Sequence, residues 1–385
     1  MDGFKVFYTG MFRFPDIDAA GKRVQKIVNM LEMIDECENI IVGGWEQGSA
    51  IEKNISDKTQ HKSFSVLDKK YKSKFRKLSN FLFMGIKLIP WMITNRRRYS
   101  HIFVYNTPFL FSLIVFVLSK LLRKKVILDS TEWYESEHLV GGKYGAASVE
   151  NWCRMFVAYP LFNNIIAIST YLESYYYKKS KNIIKIPPLS DQFYESNLND
   201  ECNSTLSFFY AGSPGKKDRL DNFVEDLLRS KKMSANFKFY IAGIDKNKFL
   251  ELYPAYRAKD KVLDERFVFL GRIPMTEVFT WYAKVNYCVF FRENKRYALA
   301  GFPSKYVEAI SHGIPVITNA IGDISTELKY TGINYTPAKD DIDILIDTAV
   351  RNKNKYSSNL RAIYEEKYSI NANLLAFKEF IRLIK

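Results

Sequence analysis

What most constrains this chain is a double series of short, almost unbroken apolar runs separated by helical patterns. The first run, Phe4 to Tyr8, leads into a polar, glycine-containing loop from Thr9 to Gly21, then into Val24, Ile27, Val28 and Leu31 at helical spacing. Further runs follow at Asn39 to Gly43, His101 to Tyr105, Lys125 to Asp129 and Asn164 to Ile168, with a helical stretch from Phe109 to Leu122 among them. Runs that are apolar throughout, instead of alternating, are those of parallel strands covered on both faces. The pattern pauses at Ile186-Pro187-Pro188-Leu189-Ser190-Asp191 and the polar stretch Glu195 to Ser204. It restarts at Leu206 to Tyr210 and continues at Phe237 to Ala242, Phe267 to Leu270, Asn286 to Phe290 and Pro315 to Thr318. The expectation is an α/β chain of two Rossmann-like, doubly wound parallel-sheet domains facing a central cleft. Their bounds are 1–190 and 205–365, with a linker at 191–204 and a C-terminal helix at 366–385 that packs back toward the first domain. A length of 385 residues suits two domains.

A net charge of +15 admits three kinds of partner: nucleic acid, anionic lipid and phosphorylated small molecules. The densest basic stretch holds Lys69, Lys70, Lys72, Lys74, Arg76 and Lys77, and Arg96, Arg97 and Arg98 close the following apolar run. Phe75, Leu78, Leu82, Ile86, Ile89 and Ile93 would form one helical stripe until Pro90 bends it. Residues 69–98 then suit an anionic membrane surface, or else the stripe packs on its own domain under solvated lysines. No zinc-finger, RNP-like or basic-zipper pattern accompanies the charge, so nucleic acid is not expected. Pro108 to Leu118 is too short for the roughly 20 residues of a membrane span and reads as a buried helix. Cys37, Cys153, Cys202 and Cys288 lie far apart with no CxxC pair and no secretory signal, which suits the cytoplasm. The four histidines have no metal-ligand spacing, so no metal is expected. Two Asp-x-Asp matches, at Asp16 to Asp18 and Asp341 to Asp343, do not follow a buried strand as a metal-binding pair would and read as chance or as helix capping.

Chemistry concentrates between Tyr287 and Thr318. A helix is expected from Ser304 to Gly313, whose missing Cβ suits a left-handed terminator. Free N–H groups at the Ser304 end favour a diphosphate, and Lys305 adds a full charge. Glu308, one turn on and on the same side, is placed to accept hydrogen bonds from two vicinal ribose hydroxyls. A capped core helix with an exposed lysine and glutamate fits the same spacing.

The segment resembles the donor-binding signature of retaining GT-B glycosyltransferases of family four, the group 1 transferases. In that family two glutamates stand ahead of a small-residue helix end and a Gly-x-Pro-Val strand. Here Glu308 is the second, and Gly313-Ile314-Pro315-Val316 follows. Ala300 stands at the first, where the family's glutamate contacts the donor sugar; members with a GFPSK- or GLPTK-like loop often lack it. The resemblance extends to Tyr210 through Asp218, implying that Gly212, Ser213, Lys216 and Lys217 face the diphosphate, with Arg292 as a further cation. It also implies that the base meets the turn at Arg272 and Ile273, that the loop after Gly10 approaches the donor, and that Glu132 at the strand end KVILDSTE acts on the acceptor side. Asp129 and Glu132 fit helix capping nearly as well. The catalytic set so implied is Glu132, Lys217 and Lys305, without a metal or other cofactor. The activity implied is transfer from a nucleotide sugar, uridine being the commonest base, to a saccharide or lipid-linked acceptor in surface polysaccharide biosynthesis. The place implied is the cytoplasm, or the periphery of the inner face of its membrane. Two rivals stand beside it, a nucleotide-sugar epimerase and a nucleotide-binding homologue without catalysis.

Overall fold

The computed structural model describes residues 3–15, 18–48, 51–67, 73–195, 205–212, 214, 218, 220–231, 237–352 and 355–384. The chain divides into two compact units, one of residues 1–189, 295–302 and 370–385, the other of residues 190–294 and 303–369. Both are parallel α/β layers, as the apolar runs predict.

Unit 1 is an eight-stranded sheet in the order β3-β4-β2-β1-β5-β6-β7-β8. Its strands are β1 (Phe4–Gly10), β2 (Cys37–Gly44), β3 (Lys53–Asn54), β4 (Thr59–Ser63), β5 (His101–Tyr105), β6 (Lys125–Ser130), β7 (Asn164–Ala167) and β8 (Asn182–Lys185). Only the short β3 runs antiparallel to its neighbour. After β1 the helix Ala19–Glu32 starts on Asp18, whose side chain accepts from the Gly21 N–H, and buries Val24, Ile27, Val28 and Leu31. Asp18 is thus a cap, while Asp16 lies outside the described residues. Against the same cluster pack Phe377, Phe380 and Ile381 of the C-terminal helix Ile370–Leu383. Beneath them Asp129, at the end of β6, is fully buried. It accepts from Arg23 at 2.8 Å and from the Tyr8 hydroxyl at 2.6 Å, and Arg23 also donates to the Ile186 carbonyl at 2.9 Å. Asp129 is therefore part of an internal ion pair and not a helix cap. Removing one partner of such a pair costs about 3–5 kcal/mol, because the other charge stays buried.

The apolar stretch after Lys74 departs from the expected single stripe. A helix Lys74–Leu82 ends, Gly85 turns the chain with φ +86°, and a second helix Ile89–Thr94 begins with Pro90 in its first turn. Proline in a first turn lacks only an N–H that would be unpaired there, so Pro90 opens a helix instead of bending one. Leu88 and Met92 are buried, while Leu78, Leu82, Phe83 and Ile93 are exposed. Lys69, Lys70 and Lys72 lie outside the described residues. The helix Phe109–Leu121 buries Phe111, Val115 and Leu118 but leaves Val117 and Leu121 exposed, so it is half-buried and not wholly internal. Among the described residues no helix is long and apolar enough to cross a membrane.

Unit 2 is a six-stranded, all-parallel sheet in the order β11-β10-β9-β12-β13-β14. The strands are β9 (Leu206–Ala211), β10 (Phe237–Ala242), β11 (Phe267–Gly271), β12 (Tyr287–Val289), β13 (Val316–Thr318) and β14 (Gly332–Asn334). Phe208, Phe223, Phe239, Phe291 and Tyr335 meet in a chain of ring contacts at one face of β9. The strand order reverses direction along the chain between β9 and β12, which makes the carboxyl edge of these two strands the switch point where ligands bind in open α/β sheets. Much of the expected linker, 196–204 with Cys202, lies outside the described residues, and residues 190–195 group with unit 2.

One short piece from the second strand series groups with unit 1. The helix Arg296–Ala300 is held there by Ser169, whose hydroxyl donates to the Ala300 carbonyl at 2.7 Å. Arg296 bonds Glu135 at 3.2 Å and lies 4.8 Å above the Trp133 ring.

Candidate nucleotide-diphosphate site

The site in unit 2 is built at the carboxyl end of β9. The strand is buried along its whole length, so its last side chains are fixed by packing on both faces. Beyond it Gly212 takes φ +153°. A Cβ built there would lie 2.7 Å from Cε and 2.8 Å from Nζ of Lys305, so only glycine lets that lysine pass. Lys305 reaches across Gly212 to Asp218, its Nζ 2.7 Å from Oδ2. The Tyr210 hydroxyl donates to the same oxygen at 2.5 Å, and the ammonium lies 4.8 Å from the centre of the Tyr210 ring. Burial pushes the Asp218 carboxyl up, but Lys305, the Tyr210 hydroxyl and Arg292 together hold it below the usual carboxylate range. Burial, then the Asp218 charge, raises the Tyr210 hydroxyl far above its ordinary value.

Lys305 comes from the helix Ser304–Ser311, as the sequence predicts. Pro303 precedes it and no side chain caps its first turn, which leaves N–H groups and the positive end of the helix dipole turned outward. The helix ends at Gly313 with φ +67°, the Ile314 N–H reaching back to the Ala309 carbonyl. Glu308 sits one turn after Lys305 on a half-buried face, its Oε2 3.5 Å from the Tyr282 hydroxyl. His312 fixes that turn from below: its Nδ1 donates to the Glu308 carbonyl at 2.7 Å, and its ring stacks on Tyr194 at 4.5 Å. The Cys288 thiol, pushed to about 12 by burial, feels Lys305 and Glu308 with opposite signs. It is the middle residue of β12.

Arg292 follows β12 and is clamped by Asn319 after β13: its N–H donates to Oδ1 at 3.0 Å, and Nδ2 donates to its carbonyl at 2.7 Å. Its guanidinium acts electrostatically on both Asp218 and Tyr210, so it serves the same charge cluster. Arg272, exposed, and Ile273, half-exposed, follow Gly271 at the end of β11, where the chain turns with φ +65°. Ser213, Lys216 and Lys217 lie outside the described residues. Gly10 and Glu132 are in unit 1. Gly10 has φ +153°, and a Cβ there would lie 2.2 Å from the Tyr105 carbonyl oxygen, so its place is dictated by the approach of β5. Glu132 follows β6, half-buried, and its charge acts on the buried Tyr105 hydroxyl and on Arg154. Asp218 and Tyr210 were not expected as site residues. The available signal was an aspartate closing a basic turn directly after a strand.

Residues 205–351 match the family model for glycosyl transferases group 1. Comparison of the whole sequence with curated proteins gives no match. Among solved structures, sucrose-phosphate synthase from Thermosynechococcus elongatus superposes with TM-score 0.74 at 13% identity, over 99% of this chain and 98% of that one. HepE from Anabaena, in complex with UDP and glucose, gives TM-score 0.68 at 15% identity over 99% and 100%. The lipopolysaccharide outer core galactosyltransferase WaaB gives 0.63 at 14% over 98% and 99%. Fold and matched domain agree: the chain has the GT-B fold, and residues 205–351, which hold the candidate site, match the model for group 1 glycosyl transferases.

Proposed function

We propose that this enzyme moves a sugar from a uridine diphosphate sugar to a saccharide or lipid-linked acceptor with retention of configuration, in the assembly of a surface polysaccharide. The observation that carries the reading is the joint placement of the Lys305 ammonium and the uncapped Ser304 helix end at the carboxyl edge of β9, with Glu308 one turn further on. In this scheme the Ser304 end and Lys305 stabilise the leaving diphosphate, whose charge grows in the transition state. Arg292, Lys216 and Lys217 add charge, and the loop after Gly10 is the one that approaches the donor. Glu308 accepts from the ribose hydroxyls, and the turn at Arg272 and Ile273 receives the base. Glu132 steadies the developing positive charge on the sugar or polarises the acceptor hydroxyl. The scheme needs no metal or other cofactor. The solved complexes of HepE with UDP and with UDP-glucose support a uridine donor.

The acceptor is proposed to be membrane-proximal, with the protein at the inner face of the cytoplasmic membrane. Support comes from the exposed Leu78, Leu82, Phe83 and Ile93 between Arg76, Lys77 and Arg96 to Arg98, and from a second exposed stripe, Val149, Trp152 and Phe156, at helical spacing. Vesicles with and without anionic lipid at low salt test this; equal, negligible sedimentation with both would overturn it.

The donor site is tested by calorimetry with UDP, UMP and uridine. A charge-assisted hydrogen bond is worth about 1.5–3 kcal/mol, so Lys305→Ala should weaken UDP about 10- to 150-fold and uridine hardly at all. Glu308→Ala should weaken all three alike. Identical behaviour of the two variants toward UDP and uridine would refute the assignment.

A further inference from the structure

We propose that Asp218 is a positioning residue for the donor, anchoring Lys305 and, through its own negative charge, limiting how tightly the site holds a nucleoside diphosphate. The proposal rests on the donor-site reading above and deepens it. Lys305 is confined on three sides: by the Tyr210 ring at 4.8 Å, by the Gly212 backbone, and by Asp218 Oδ2 at 2.7 Å. Asp218 is itself only 8% exposed, and Tyr210, which shares that oxygen, is fully buried. The arrangement is therefore rigid, and not a surface ion pair between two mobile side chains. An ammonium has three N–H donors; one is committed to Asp218 and two remain for phosphate oxygens.

Two consequences follow, and they pull in opposite directions. Holding the lysine in place removes the entropy cost of ordering a long side chain when the donor arrives, which favours binding. Yet the carboxylate sits within one ammonium group of the incoming anion and repels it, which weakens binding of donor and product alike. A site that must release a nucleoside diphosphate after every turnover gains from that repulsion. Asparagine separates the two effects, because its amide oxygen still accepts from Lys305 and from Tyr210 while the charge is gone. Coulomb repulsion at this range in a half-buried site exceeds the difference between a charged and a neutral acceptor.

Asp218→Asn should therefore bind UDP about tenfold tighter than wild type, UMP less so, and uridine unchanged. The measurement is calorimetry on the full chain with UDP, GDP, ADP, UMP and uridine, after circular dichroism has confirmed the fold. Asp218→Ser, also uncharged and hydrogen-bonding, takes its place if the asparagine variant does not fold, with the same order of effects expected. A merely structural role for Asp218 would shift the melting temperature and move all ligands together. If the wild type binds a nucleoside diphosphate and the uncharged variant binds it equally or more weakly, the role of Asp218 is refuted and the donor site stands. If the wild type binds none of UDP, GDP and ADP, the donor-site reading falls, and this proposal with it.

Discussion

Gly212 is the residue whose replacement speaks most directly to the site, because two constraints meet on one atom that it lacks. Its φ of +153° is unfavourable for side chains, and an added Cβ would press on Cε and Nζ of Lys305 at 2.7 and 2.8 Å. The atoms pressed are the tip of a side chain and not backbone, so the fold should survive Gly212→Ala at a cost of about 1–2 kcal/mol while the ammonium is pushed off Asp218. The expected result is weaker UDP binding with uridine binding retained; an alanine variant that binds UDP like wild type would mean that Lys305 does not act from where it lies. Lys305 and Glu308 were legible in the sequence because their relation is local: both belong to one helix, and helical spacing alone puts them on one side. The partner of Lys305 was not. Asp218 is 87 positions away in the sequence, and nothing in periodicity says which strand-end turn that helix meets. Asp129 shows the same limit, since its partner Arg23 lies 106 positions away and the carboxylate read as well as a helix cap.

At the scale of elements, the short helix Arg296–Ala300 shows how a site signature can be displaced by packing. Ala300, which stands where related enzymes place a glutamate, is fully buried and its carbonyl is held by Ser169. Its methyl side chain carries no hydrogen-bonding group, so it can make no polar contact with a sugar. Ser169 also caps the helix Thr170–Tyr176 by accepting from the Leu172 N–H at 3.3 Å. Ser169→Ala should thus remove both a cap and a buried bond, costing about 1–3 kcal/mol. Hydrogen exchange should quicken in residues 296–302 as well as at the start of Thr170–Tyr176; acceleration at the second alone would show that Ala300 is held by other means. The strands that carry the sheets were readable because they are continuous apolar runs, and His101–Tyr105 and Phe237–Ala242 fall where the runs do. The missed ones lack that signal: β4 reads Thr-Gln-His-Lys-Ser, β8 is only half-buried, and β14 has three residues. Pro90 was visible, but as a bend in one helix instead of the opening of a second, and Gly85 makes the joint between the two.

Across the whole molecule, the two strand series announced two sheets, whereas the return of residues 295–302 and 370–385 to unit 1 follows from contacts that no local pattern records. The same burial makes stability depend on pH through one group. His101 on β5 is 8% exposed and packs edge-on against Phe4 at 5.0 Å. Burial, with Lys125 and Lys124 nearby, lowers its imidazole from 6.5 to about 4. The unfolded chain then takes up a proton near pH 6.5 that the folded chain refuses until about pH 4. Stability therefore falls as the pH drops through this window and levels off below it. One pKa unit is worth about 1.4 kcal/mol, so the loss approaches about 3 kcal/mol. Carboxylates held low by their partners, such as Asp218 and Glu46, lose their contribution only at lower pH, as it falls through the depressed folded value. The interval between about pH 6.5 and 4.5 is thus where His101 should dominate. Four of the five tryptophans, Trp45, Trp91, Trp133 and Trp152, belong to unit 1, so urea unfolding followed by their fluorescence reports the right unit. His101→Gln, which does not titrate, should flatten the pH dependence across that interval, and an unchanged slope would place the proton uptake elsewhere.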